Sequence, residues 1–321
     1  VIQLSEIENL HLEFSTDCNA RCPRCPRNYN GYPYNTGYIE THLTLEKVKA
    51  LLPLPFVAQL KGILINGNYG DFIMNPESID IISWFRAHNP TMVIDITTNG
   101  GARDKNFWEA LVKFDPIISF CIDGLEDTHA IYRQNTVYET VIKNAQTFIA
   151  AGGRAVWTMT EFAHNLHQFE EAKSRAKEMG FAQLNRRPTN RDTGPVYDKQ
   201  GNKIFELGGV GNYMPNKIDD EYCKTHPYKM MEHYRTVGVA CEAIDQKSLY
   251  ISAEGTIDPC CHVGMNKSDK AWWKGDADLR QGQHPTDLAG GMAWFGRIYE
   301  TFGTAQQLSV CSRTCGKGER I

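Results

Sequence analysis

Short apolar, β-prone runs alternate with amphipathic stretches from residue 11 onward. The runs are HLEFS (11–15), GILIN (62–66), MVIDITT (92–98), IISFCID (117–123), RAVWTMT (154–160) and FAQLN (181–185). Between them, LTLEKVKALL, PESIDIISWFRAH, NFWEALVKF, TVYETVIKNAQTFIAA and LHQFEEAKSRAKEMG space their apolar residues as helices do. Asn75-Pro76 predicts one helix start and Gly152-Gly153 one helix stop. About six such alternations predict a parallel sheet with right-handed crossovers, either doubly wound or closed into a barrel. In both architectures ligands gather where the strands end. A cysteine-rich segment follows the first strand, GNYGD (67–71) the second and TNGG (98–101) the third, and DG (123–124) closes the fourth. One rim therefore collects the polar and turn-forming residues.

The rhythm stops near residue 190. RDTGPVYDKQGNKIFELGGVGNYMPNKIDDEY (191–222) is rich in Gly, Asp and Asn, which predicts a linker containing one hairpin. Residues 223–321 hold six of the ten cysteines, one strand signal in SLYISAEGTID and one helix signal in MAWFGRIYETF. Such a segment is thin in apolar runs, and a metal would supply the missing stability. The expected division is a barrel domain over 1–190, a linker or hairpin over 191–222 and a smaller domain over 223–321.

Composition narrows the classes. A chain of 321 residues, 41% hydrophobic and 22% charged, reads as one large or two ordinary globular domains. The net charge of -4 advertises no footprint for nucleic acid or anionic membrane. No apolar stretch approaches the roughly 20 residues that span a bilayer, and VIQLSEIENL has no signal-peptide core. The cytoplasm is the expected compartment, where clustered cysteines serve metals or catalysis more often than disulfides.

Cys18, Cys22 and Cys25 are spaced C-x3-C-x2-C, with no fourth cysteine nearby. A closed zinc site takes four ligands and disulfides take an even number, so an odd triplet points to a metal centre with one position left open. A zinc knuckle completed from elsewhere, or plain buried thiols, are the alternatives that spacing alone leaves.

The stretch CNARCPRC, with Asp17 before it, resembles the cluster loop of the radical S-adenosylmethionine (SAM) enzymes, in particular the subgroup with SPASM or twitch extensions. That resemblance implies an α/β fold: a partial (β/α)6 TIM-like barrel with a small C-terminal twitch/SPASM-like iron-sulfur domain. It implies that Cys18, Cys22 and Cys25 bind three irons of a 4Fe-4S cluster whose fourth iron is chelated by S-adenosyl-L-methionine. One electron then cleaves the sulfonium to methionine and a 5′-deoxyadenosyl radical, which abstracts a hydrogen atom from substrate. By the same resemblance Gly70 and Asp71 meet the methionyl amino group, with Asp71 in the place of the usual Glu. Asn99 closes the third strand, and Cys121 stands where a Ser is usual in the strand-four segment SFCIDGLEDTHAIYR. Arg133 matches the arginine that holds the SAM carboxylate, a bidentate task suited to guanidinium. Asn165 fits a polar residue near SAM, and Arg24 replaces the apolar residue that borders the adenine.

Downstream, Cys241, Gly255 and Cys260 fit the C-x9-15-G-x4-C opening of SPASM and twitch domains. The longer SPASM cysteine array is missing, and only CSRTC follows, with Cys311 and Cys315. The resemblance thus implies a twitch form, in which Cys241, Cys260, Cys311 and Cys315 fully ligate a second, auxiliary 4Fe-4S cluster for electron transfer. Cys261 could replace one of them, and a structural zinc is the alternative for a four-cysteine set. Cys121 reads as a packed thiol, Cys223 as a buried bystander with a hydrogen-donor role as the alternative, and the tryptophans of AWWKGD (271–276) as core ahead of a substrate platform.

The expected activity is oxidation or another modification of a small molecule or peptide, with an electron donor such as flavodoxin or ferredoxin. Arg186 and Arg187, at the end of the sixth strand, could meet an anionic substrate. With no appended peptide-recognition domain before residue 11, a self-contained peptide maturase is the less expected form, and a peptide could still be delivered by a partner. A nucleotide- or nucleic-acid-modifying enzyme and a non-catalytic iron-sulfur or zinc protein are the competing readings.

Overall fold

Six strands form the parallel core of the sheet, and the first four bury apolar side chains on alternate positions, presenting one greasy face each. They are β1 (Asn9–Leu12), β2 (Gly62–Ile65), β3 (Val93–Thr98), β4 (Ile117–Cys121), β5 (Arg154–Glu161) and β6 (Gln183–Pro188). All six predicted runs are strands, displaced by a few residues at their ends. Each pairs in parallel with the next, which sets Leu10 beside Ile63 and Ile63 beside Ile94. Farther along, Ile96 meets Ile118 and Phe120 meets Trp157. These side chains are buried in one continuous core. The computed structural model describes residues 2–29, 32–33, 39–188, 194–198, 200–209, 238–265, 284–304 and 306–317. Cys223 and the AWWKGD tryptophans lie outside them.

Helices α1 (Leu45–Leu51), α2 (Leu54–Gln59), α3 (Ser78–His88), α4 (Lys105–Leu111), α5 (His129–Tyr132), α6 (Tyr138–Ala150) and α7 (Phe169–Glu178) connect the strands. Their starts are chemically marked. Thr44 accepts the Lys47 N–H at 3.2 Å and Asp104 the Phe107 N–H at 3.1 Å, satisfying donors that a first helical turn leaves free. The apolar spacing of α6 buries Val141, Ile142, Ala145 and Phe148. Gly152, at φ +98°, follows that helix in a conformation that side chains resist.

Two features tie the later segments to the first. The hairpin of β7 (Gly194–Tyr197) and β8 (Lys203–Leu207) falls in the predicted linker. It packs Val196 and Leu207 against Ala20, Cys22, Tyr132 and Phe162, covering the first cysteine loop. The C-terminal strand signal forms β9 (Ser248–Ile251) and β10 (Ile257–Asp258). β9 pairs in parallel with β1, placing Leu249 beside Leu10, and β10 returns antiparallel. A first strand with one unpaired edge accepts such an addition readily. The result is an eight-stranded sheet in the order β10-β9-β1-β2-β3-β4-β5-β6.

Among the described residues no helix is long and apolar enough to cross a membrane. Helices cover one face of the sheet. The other face, carrying His11, Leu64 and Asp95, is more open: Leu64 is 38% exposed and Val93 48%. It is on this side that the cysteines gather.

Trp108 is fully buried, with its ring centroid 5.2 Å from that of Phe120 and 6.4 Å from that of Phe72. Replacing it by alanine is expected to cost about 3–5 kcal/mol of unfolding free energy, measured by urea denaturation.

Candidate functional site

The loop after β1 is anchored before its chemistry begins. The Asp17 N–H donates to Ser15 Oγ at 2.8 Å, and the Cys18 N–H donates to Asp17 Oδ1 at 2.7 Å. Arg27 reaches back to Asp17 Oδ1 at 3.3 Å, to Glu40 at 2.9 Å and to the Thr16 carbonyl. On the far side, the Arg21 N–H donates to the Gln134 carbonyl at 2.8 Å, and Asn135 Nδ2 donates to the Asn19 carbonyl at 2.6 Å. Within the loop, the Cys25 N–H donates to the Cys22 carbonyl at 3.1 Å. The loop is thus tied to three neighbouring segments.

Cys18, Cys22 and Cys25 line one cavity of about 650 Å3 at the C-terminal ends of the barrel strands. Gly70, Asp71, Asn99, Cys121 and Arg133 line it as well, so the structure brings together five of the six predicted cofactor-binding residues. Asn165 is not among them. It is fully buried, and Nδ2 donates to the Thr160 carbonyl at 2.8 Å and the Asp123 carbonyl at 3.2 Å while Oδ1 accepts the Phe162 N–H.

Asp71 is a buried hub. Its carboxylate accepts Thr98 Oγ1–H at 2.7 Å, the Asn99 N–H at 2.7 Å and Asn99 Nδ2–H at 2.8 Å. The Asp71 N–H donates to the Asp17 carbonyl at 2.8 Å. Burial pushes its carboxyl pKa up, against the pull of the Asn99 and Thr98 hydrogen bonds. Gly70 leaves no room for a Cβ, which would strike the Ser15 carbonyl, so this loop presses directly on the cysteine loop.

Two donors reach the sulfurs. Asn99 Nδ2 lies 3.6 Å from Cys18 Sγ, and an Arg133 guanidinium nitrogen 3.7 Å from Cys22 Sγ. Arg133 also donates to Asp123 at 2.6 Å, and Asp123, fully buried, accepts the Thr160 N–H at 2.6 Å. Burial alone would weaken the guanidinium, but the Asp123 carboxylate overrides it and raises the Arg133 pKa. The thiols respond to the same low polarity. Burial pushes Cys22 up to about 11, partly offset by Arg133, and pushes Cys18 well up, reinforced by Asp71 and the neighbouring thiols. Three soft sulfur donors with two N–H donors aimed at them suit an iron-sulfur cluster, whose cysteinyl sulfurs carry charge and accept hydrogen bonds.

The second group converges elsewhere. The Ala240 N–H donates to the Cys315 carbonyl at 2.9 Å, bringing Cys241 beside helix α11 (Ser309–Cys315), which carries Cys311 and Cys315 one turn apart. Cys260 and Cys261 sit at the start of the short helix α9 (Cys261–Met265), after α8 (Glu242–Asp245) and before α10 (Leu288–Glu300). Cys241, Cys260, Cys261, Cys311 and Cys315 line one cavity of about 550 Å3. Burial raises the thiol pKa values of Cys241, Cys260 and Cys315, and that of Cys261 to about 11. His11, Cys261 and His262 line both cavities, which therefore adjoin. His11 holds the Asn66 carbonyl through Nε2 at 2.7 Å, and burial lowers its pKa. Among the described residues no three His, Cys, Asp or Glu side chains are disposed around a single metal ion.

No family model matches the chain, and no curated protein does. Solved structures do. SuiB of Streptococcus suis bound to S-adenosylmethionine is 14% identical over 94% of this chain and 76% of its own, with a TM-score of 0.55. The anSMEcpe protein with bound AdoMet and the Kp18Cys peptide is 13% identical over 96% of this chain and 89% of its own, also at 0.55. SuiB bound to the precursor peptide SuiA aligns at 14% identity over 94% and 75%, at 0.52. The chain has the fold of these S-adenosylmethionine-bound structures. Within it, the predicted triplet lies where the first strand delivers its loop to the mouth of the sheet.

Several residues of this mouth escaped the sequence reading. Glu13 accepts the Tyr69 N–H at 2.7 Å and the Tyr250 hydroxyl from deep burial, and its only signal was an acid inside an apolar strand. Asp123 had appeared only as a turn residue. Arg186 and Arg187 diverge because neighbouring strand residues face opposite ways. Arg186 pairs with Glu161 and lies 4.8 Å over the Phe169 ring, whereas Arg187 lines the triplet cavity.

Arg133 is delivered by α5, whose His129 is fully buried with only Nε2 partnered, to Thr136 Oγ1 at 3.0 Å. Burial depresses this imidazole to about 4. The unfolded chain binds a proton there near pH 6.5 and the folded chain only near pH 4, so stability falls as pH drops through that window. Comparing pH-dependent urea unfolding of wild type and His129→Gln is expected to show wild type losing about 3 kcal/mol more between pH 7 and 4.

Proposed function

We propose that this chain is a radical SAM enzyme in which Cys18, Cys22 and Cys25 hold a 4Fe-4S cluster with one iron left for S-adenosylmethionine. The observation that carries this reading is the convergence of exactly three thiols of one loop on a single cavity at the barrel mouth, with Asn99 and Arg133 donating to two of the sulfurs. When bound, the cluster supplies the electron that splits the sulfonium, and the adenosyl fragment takes a hydrogen atom from substrate. The protein's own residues bind, orient and shield.

Asp71 and Asn99 hold the position of Cys18, and Asp123 aims Arg133 toward Cys22 and the cavity, where its remaining N–H groups would hold the SAM carboxylate. Gly70 brings backbone to the cavity wall at the place expected for the methionyl amino group, and Cys121 adds a thiol to the same wall. Hairpin β7–β8 excludes solvent from the outer side of the loop through Val196 and Leu207. Asn165 supports the site from behind by bonding the Asp123 carbonyl.

Cys241, Cys260, Cys311 and Cys315 are the proposed ligands of an auxiliary 4Fe-4S cluster in a twitch-like segment, with Cys261 as the alternative ligand on the wall shared with the first cavity. The substrate, a peptide or a small molecule, lies between the two groups. Peptides accompany SAM-bound relatives of this fold, which supports the peptide reading. Arg187 gives the cavity a cation with no hydrogen-bond or ion-pair partner among the described residues, suited to a carboxylate on that substrate. A flavodoxin- or ferredoxin-type donor would supply electrons to an oxidoreductase of this kind in the cytoplasm.

Iron per chain after anaerobic reconstitution separates the sites. Wild type is expected to hold about eight irons, and the Cys18→Ala/Cys22→Ala/Cys25→Ala variant about four. The Cys241→Ala/Cys260→Ala/Cys311→Ala/Cys315→Ala variant is also expected to hold about four, now responsive to SAM by electron paramagnetic resonance. Zinc in place of iron, or iron unaffected by loss of the triplet, contradicts the assignment.

A further inference from the structure

The carboxylate of Glu13 joins three parts of the chain. It is 1% exposed and lies just beyond the end of β1. One oxygen accepts the N–H groups of Tyr69 at 2.7 Å and Gly70 at 3.3 Å, and the other accepts the hydroxyl of Tyr250, 237 residues away on β9. That hydroxyl also accepts Asn68 Nδ2–H at 3.1 Å, and the same amide donates to the Cys261 carbonyl at 3.0 Å. The Tyr69 hydroxyl donates to the Met265 carbonyl at 2.6 Å. The 67–70 loop, which walls the triplet cavity, is therefore moored to β1 on one side and to the C-terminal cysteine segment on the other.

The mooring is stiff. A Cβ on Gly67 would lie 3.1 Å from Glu13 Oε1 and collide with the Gly70 carbonyl, and one on Gly70 would collide with Ser15. Charge-assisted bonds to a buried carboxylate are among the stronger ones a protein makes, and removing a single partner shifts the rest of the group. A displacement of Tyr250 is passed to the Tyr69 and Gly70 N–H groups through one carboxylate.

We propose that Glu13 and Tyr250 are a positioning pair through which the C-terminal cysteine segment sets the SAM affinity of the N-terminal site. The inference rests on the radical SAM reading. Neither side chain lines the triplet cavity, so each acts through the 67–70 loop.

The test titrates SAM into anaerobically reconstituted, dithionite-reduced full-length protein and follows the electron paramagnetic resonance of the N-terminal cluster. Iron content and thermal midpoint are measured alongside. With iron content matching wild type, Tyr250→Phe is expected to raise the SAM Kd about fivefold and Glu13→Gln about tenfold, the scale of a lost hydrogen bond to a charged group. The double variant is expected to match Glu13→Gln alone, because both changes cut one link. A wild-type Kd in Tyr250→Phe, or effects that multiply in the double variant, overturns the inference. Should Tyr250→Phe fail to assemble, Tyr69→Phe removes the other mooring to the C-terminal segment: a raised Kd is expected, and an unchanged one overturns the inference. Wild-type protein whose spectrum does not respond to SAM overturns the radical SAM reading itself.

Discussion

The carboxylate of Asp71, buried between the second and third strand loops, accepts the Thr98 hydroxyl and both N–H groups of Asn99 while its own backbone N–H holds the Asp17 carbonyl. The first cysteine loop hangs from that knot. Apolar packing of this loop is confined to the small cluster around Ala20 and Cys22, and three thiols left in solvent would be independent of one another. Fixed dipoles supplement that packing. Asn99 completes the chain by reaching Cys18 Sγ, so the geometry of a sulfur is set two residues removed from the carboxylate that determines it. An acid buried with this many donors strengthens them all, and each loses more than its own bond if one partner is removed.

The sheet explains why such knots occur on one side only. Alternation sends Leu10, Ile63, Ile96, Ile118 and Phe120 to the helices, where burial stabilises the fold, and leaves the opposite face for His11, Glu13 and Asp95. Cysteines then occupy both ends of that face: the triplet at the mouth and five thiols near the starts of β1, β2 and β3, with His11, Cys261 and His262 between. Because β9 extends the sheet from the free edge of β1, the C-terminal cysteines are held by the same hydrogen-bonded framework as the triplet. Arrangement of the two groups is thus a property of one sheet.

Much of the fold was legible because its signals are local. Apolar runs marked all six barrel strands, and strand order put GNYGD and TNGG on the rim of the cysteine loop, whereas Arg133 was named only by the resemblance of its segment to a known family. What escaped depends on pairing across the chain. The β1–β9 contact and the Glu13–Tyr250 bond join segments more than 230 residues apart, and nothing in either segment names its partner. Asn165 shows the converse: a polar residue after the fifth strand is expected at the ligand, yet its amide is spent on backbone groups that burial would otherwise leave unpaired. Arg186 and Arg187 differ by a single step of strand parity, which a boundary uncertain by one residue cannot resolve.

The hairpin over 194–207 illustrates a further limit. Its Gly, Asp and Asn content reads as a connector, but two apolar residues, Val196 and Leu207, turn it into a cover for the cysteine loop. The central claim is that the covered triplet splits S-adenosylmethionine. The most direct measurement is chromatographic detection of products from reconstituted protein, SAM and dithionite under anaerobic conditions. The account predicts 5′-deoxyadenosine and methionine in equal amounts, absent from a Cys22→Ala variant. Protein that holds its N-terminal cluster and SAM yet releases no 5′-deoxyadenosine would contradict it.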